Sequence, residues 1–130
     1  MAAAGWKLTL RTPVPHEEMA GELSAASGLL LLSASQAAIP GKFFEYLPAG
    51  PPILAVSFPG SALWRLAEKI PHVYLAGCAP GDDPSGAAAR FLDACRAGTA
   101  RVAVPEELGE AHVSAVFCEA LGLAPKPAKR

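Results

Sequence analysis

Short apolar runs alternate with helix-patterned segments along this chain, and no other feature constrains its fold as tightly. Leu29–Ser33, Ile53–Ser57 and His72–Ala76 are brief, apolar and bounded by Gly or Pro, which reads as strands. Trp6–Arg11 sets Trp6, Leu8 and Leu10 against Lys7, Thr9 and Arg11, a further strand pattern stopped by Pro13 and Pro15. Between the runs lie helix signals. His16–Ala26 carries Glu17 and Glu18 in its first turn and Met19, Leu23 and Ala26 on one face. Gly28 is read as its stop. Gly41–Leu47 is a short helix, and Gly60-Ser61 opens another with Leu63, Leu66, Ala67 and Ile70 inward. Ser85 is read as the N-cap of a helix with Ala88, Phe91, Leu92 and Cys95 inward and Gly98 as its stop. An extended piece, Arg101–Val104, precedes Pro105 and a last helix with Val113, Val116, Phe117 and Leu121 inward, stopped by Gly122.

Strand and helix in regular alternation predict an α/β fold, a Rossmann-like parallel sheet with helices on both faces. Leu29–Ser33, apolar on both sides, is expected to be covered on both. In such sheets ligands bind beyond the carboxyl ends of the strands, here at the loops Ser33–Gly41 and Phe58–Ser61.

At 130 residues the chain is one domain by size, expected over 1–124, with a flexible Pro/Ala-rich tail over 125–130. The hydrophobic share of 52% and charged share of 18% exclude a disordered chain. Net charge is −1, and only Lys126, Lys129 and Arg130 cluster, so nucleic acid is not an expected partner. The uncharged stretch Leu23–Gly41 is broken by Ser24, Ser27, Ser33, Ser35, Gln36 and Pro40, which argues against a membrane span. Met1–Trp6 lacks the basic start and long apolar core of a signal peptide, so a cytoplasmic protein is expected. Cys78, Cys95 and Cys118 fit no zinc or CxxC spacing and are read as free buried thiols. His16, His72 and His112 stand alone, and no metal site is expected.

Residues 39–56 hold the candidate chemistry. Gly41 would let a ligand approach the backbone, and Lys42 would add a positive charge at a helix opening, a combination suited to a diphosphate. A lysine there opposes the helix dipole, which asks for a reason. Glu45 lies nearly one turn on, and its carboxylate can accept two hydrogen bonds from a vicinal diol, each worth about 1.5–3 kcal/mol. The plain alternative is an i, i+3 surface ion pair between Lys42 and Glu45 worth a few tenths of a kcal/mol. Gly60 and Ser61 open a second helix at the same sheet edge. By themselves they read first as an ordinary loop with a serine cap, and otherwise as a phosphate or sugar contact.

The ordered run Pro40-Gly41-Lys42, Glu45-Tyr46-Leu47, Gly50 and Pro52-Ile53-Leu54 resembles the "PGK-hydrophobic-x-EYL-x-x-G-x-PIL" segment of GT-B glycosyltransferases of the large bacterial group 1, family 4-like. Val14–Glu18 and Ala25–Leu32 resemble the "VPHEE … ADLLL" run before it, and Phe58–Ser61 the loop after it, so the likeness covers residues 12–66. The resemblance implies the donor-binding C-terminal half of a GT-B fold. Glu45 would hold a nucleotide ribose, Gly41 and Lys42 the diphosphate, and Gly60 and Ser61 the sugar or phosphate. The substrate would be a nucleoside-diphosphate sugar, with no metal and no further cofactor. The implied partners are that nucleotide-sugar and a separately encoded N-terminal domain, with a peripheral place on the membrane through the full enzyme. The likeness also implies that the chain begins inside the C-terminal half.

Two positions depart from the pattern. Ala37 stands where many retaining members carry a second Glu, which leaves the catalytic residues unassigned, and Pro48 shortens the helix. Non-catalytic binding of a nucleotide-sugar or a protein partner on the same fold is the second reading. An unrelated flavodoxin-like domain with a phosphate ligand is the third. An uncovered edge or apolar face would favour a dimer.

Overall fold

The computed structural model describes residue 5, residues 7–98, residue 115 and residues 118–122. Within them the chain folds as α1 (His16–Ala25), β1 (Leu29–Leu32), α2 (Gly41–Tyr46), a 3-10 turn (Leu47–Ala49), β2 (Ile53–Ser57), α3 (Ala62–Ala67), β3 (Val73–Gly77) and α4 (Ser85–Ala97). The strands form one parallel sheet in the order β1-β2-β3. Leu29 lies opposite Ile53, and Ile53 opposite Val73. The fold is therefore α/β with a small open sheet.

Alternation sorts the strand residues between two faces. One face presents Leu29, Leu31, Ile53, Ala55 and Val73 to Phe43 of α2, Leu47, and Leu63 and Ala67 of α3. Leu23 and Ala26, from α1 and its end, pack on the same cluster. Phe43, Ile53 and Leu63 are fully buried, each contributing about 1.5–3 kcal/mol of transfer free energy. On the other face α4 sets Phe91 edge-on against Tyr74, with ring centroids 6.3 Å apart. Gly28 lies beneath its last turns, where a Cβ would come within 2.5 Å of Cys95 Sγ.

Local chemistry explains the short elements. Pro48 cannot donate a helical hydrogen bond, so α2 tightens into a 3-10 turn. Gly50, at φ 105°, then reverses the chain into Pro51-Pro52 and β2.

Several expectations need correction. Lys7–Arg11 forms no strand, because no described strand lies beside it to complete a ladder. Its Arg11 guanidinium instead makes a bidentate pair with Glu22 of α1, at 2.7 and 3.2 Å. β1 is covered on one face only, since α4 lies over β3 and β2 and leaves Leu30 and Leu32 exposed. Gly28 does not end α1. Ala26 already turns extended. Ser85 is the first helical residue rather than the cap, and its N–H donates to the Asp83 carboxylate at 3.0 Å. On α4 the expected inward residues Ala88, Phe91 and Cys95 are half-buried, but Leu92 is exposed and Ala87 is buried instead. None of the thiols is buried: Cys78 is exposed, and Cys95 and Cys118 are half-buried. Leu121, expected inward, is exposed. Arg101–Val104, Val113, Val116, Phe117 and the tail lie outside the described residues.

Candidate functional site

The three parallel strands end their carboxyl edge at Leu32, Ser57 and Gly77, and the loops that follow form a ledge there. The first loop folds on itself. Ser35 Oγ accepts hydrogen bonds from the N–H groups of Ala37 at 3.3 Å and Ala38 at 2.9 Å. Ala37 thus belongs to a serine turn, and no second carboxylate stands at that point. The same loop is tied to the next one, because Ala62 N–H donates to the Gln36 carbonyl at 3.0 Å. That bond ties the loop before α2 to the opening of α3.

Phe43 anchors α2 in the core, while Gly41, Lys42 and Glu45 on the same helix are exposed. Pro40 supplies no side-chain cap to the first N–H groups of this helix. Nothing approaches within 4 Å of a Cβ built on Gly41, so the helix opening is unobstructed. Among the described residues the ion pairs are Arg11–Glu22 and Arg96–Asp93, and neither Lys42 nor Glu45 takes part in one. The i, i+3 pair that would explain both residues without a ligand is therefore not formed.

The second opening is more committed. Gly60 adopts φ 78°, so the turn itself requires a glycine there. Ser61 is buried, its N–H donates to the Phe58 carbonyl at 3.1 Å, and its Oγ accepts from Trp64 N–H at 3.2 Å. Ser61 Oγ also shares a hydrogen bond of 2.9 Å with the buried Ser57 Oγ. Its hydroxyl caps α3 and joins that helix to β2. Pro59 and Gly60 are the exposed residues of this loop.

The third loop turns acidic. Asp82 accepts from Ala79 N–H at 2.8 Å. Asp83 accepts from Ser85 N–H, which holds its carboxyl below the usual range. Lys42 stands exposed at the α2 opening with Glu45 three residues on, and the two aspartates are absorbed in turn formation.

A cavity of about 200 Å³ lies at the opposite, amino end of the strands, between Ser24, Ala26, Ser27, Gly50, Pro51, Pro52, Cys95 and Gly98. It holds no charged side chain and does not suit a diphosphate. Among the described residues no His, Cys, Asp and Glu side chains group as metal ligands, and no helix is long and apolar enough to cross a membrane.

Sequence reasoning missed His72. It is buried just before β3, and both ring nitrogens lack a hydrogen bond of good geometry. Burial holds its pKa below 6.5, and the nearby Leu47 carbonyl offsets this only in part. No spacing signal marks such a residue.

Comparison of the chain with family models, with curated proteins and with solved structures finds no match.

Proposed function

We propose that this chain is the donor-binding half of a GT-B-type glycosyltransferase, holding a nucleoside-diphosphate sugar on the ledge at the carboxyl edge of its sheet. Lys42 and the backbone at Gly41 take the diphosphate, Glu45 takes the ribose diol, and the Gly60-Ser61 turn borders the sugar or its phosphate. One observation carries the reading: Lys42 and Glu45 stand exposed at an unobstructed helix start and join no ion pair among the described residues. A lysine positioned there stabilises a leaving diphosphate by charge. The reading requires a second, acceptor-bearing domain to complete the site.

Ala37 favours a second reading, in which the same site binds a nucleotide-sugar without turning it over. The chain supplies no carboxylate on the sugar side of Glu45 along this segment.

Calorimetric titration of UDP, GDP and their sugars into wild type, Glu45→Gln and Lys42→Ala tests both readings. Glu45→Gln is expected to weaken nucleotide binding about tenfold through loss of charge-assisted bonds. Lys42→Ala is expected to weaken it and to flatten its salt dependence. Equal affinity in wild type and Glu45→Gln refutes the ribose role. Binding without sugar transfer, even with an acceptor domain supplied, selects the second reading.

A further inference from the structure

We propose that the extended N-terminal arm, Lys7–Arg11, is a strand that completes the sheet of a second copy of this chain by pairing along the outer edge of β1. The chain exposes both halves of that contact. Leu8 and Leu10 on the arm are 87% and 88% exposed, and Leu30 and Leu32 on β1 are 55% and 67% exposed. Among the described residues no strand pairs with the outer edge of β1. The edge Leu29–Leu32 carries no charge and no proline, the devices that keep exposed edges from pairing.

Connection handedness gives the location. α1, α2 and α3 lie on one face of the sheet, where their residues share the Leu29–Ile53–Val73 cluster. With right-handed crossovers the sheet advances from β1 to β3 beneath that face, and a strand preceding α1 falls on the outer side of β1. Alternation then gives the orientation. With Leu8 and Leu10 beside Leu30 and Leu32, the residues Lys7, Thr9 and Arg11 project towards the α1 face. α1 exposes Glu17, Glu18 and Glu22, whose charge complements the two cations of the arm. The Arg11–Glu22 pair within one chain is an instance of that complementarity.

The linker favours exchange over closure on the arm's own chain. Thr12–Pro15 must turn the chain from arm to helix, yet it contains Pro13 and Pro15, and Pro15 is extended at φ −54°, ψ 146°. A short, stiffened hinge of this kind drives reciprocal swapping, and two arms exchanged about a two-fold axis satisfy both edges at once.

Sedimentation equilibrium over a dilution series of the full chain tests the proposal with Leu8→Asp/Leu10→Asp and Leu30→Lys/Leu32→Lys. Wild type is expected to dimerise, and each pair of substitutions to raise the dimer Kd about tenfold or more. All four leucines are exposed, so the variants are expected to keep the far-ultraviolet circular dichroism of wild type. Mixing the two variants restores one intact arm–edge contact, and native mass spectrometry is expected to find the mixed dimer in excess over either parent. A dimer that survives the arm substitutions overturns the proposal. So does a monomeric wild type, or one whose Leu8 and Leu10 amides are protected from exchange in the monomer. Should the β1 variant fail to fold, the arm variant alone decides.

Discussion

Replacing His72 with leucine separates a burial effect from a titration effect. The imidazole is 4% exposed, and neither ring nitrogen has a hydrogen bond of good geometry. A buried polar group without a partner costs about 1–3 kcal/mol, and neutral imidazole carries one donor and one acceptor. Near pH 8, His72→Leu is therefore expected to be as stable as wild type or more so, by up to about 3 kcal/mol, less any packing the smaller side chain loses. The pH dependence is the sharper readout. The folded state holds the ring below its ordinary pKa of 6.5, so it favours the neutral form. The native state's advantage is complete above pH 6.5 and is lost as pH falls from there through the folded pKa. Within that window wild type loses up to about 1.4 kcal/mol per pH unit more than His72→Leu. Urea midpoints followed by circular dichroism, from about pH 8 to about pH 5, measure the difference directly. If the two stabilities run parallel through that range, the ring is not held neutral and the account of its burial fails.

Two further substitutions probe the packing of helices on the sheet. Gly28→Ala places a methyl within 2.5 Å of Cys95 Sγ and 2.6 Å of the Phe91 ring, so a loss of about 1–3 kcal/mol is expected in urea unfolding, with unchanged nucleotide affinity. Ser61→Ala removes the cap on α3 and leaves the Ser57 hydroxyl without its partner. A loss of about 1–2 kcal/mol is expected by the same measurement, and an unchanged midpoint would show that the hydroxyl is idle.

The strands were the most legible elements. Ile53–Ser57 was read with its observed bounds because Pro52 before it and Pro59 after it confine an aliphatic run. The short helix over Gly41–Leu47 was legible for a similar reason, with Pro40 at its start and Gly50 soon after its end. Arg11 and the arm were misread because alternation reports which face a residue prefers, not whether a neighbour exists to pair with. Leu30 and Leu32 were misread likewise, since the coverage of β1 depends on where α4 crosses. At the ledge, residue types and spacing gave the positions of Lys42 and Glu45. The absence of an ion pair between them, the buried commitment of Ser61 and the bond from Ala62 to Gln36 are tertiary facts that spacing does not encode.

That last bond, at 3.0 Å, runs from main-chain N–H to main-chain carbonyl. Its strength does not depend on which side chain occupies position 36 or 62, apart from proline at 62, which has no N–H. Gln36, exposed at the loop, is thus free to be exchanged for other side chains while the loop before α2 stays tied to α3. Side chains along this rim can vary without rebuilding the frame that holds the rim in place.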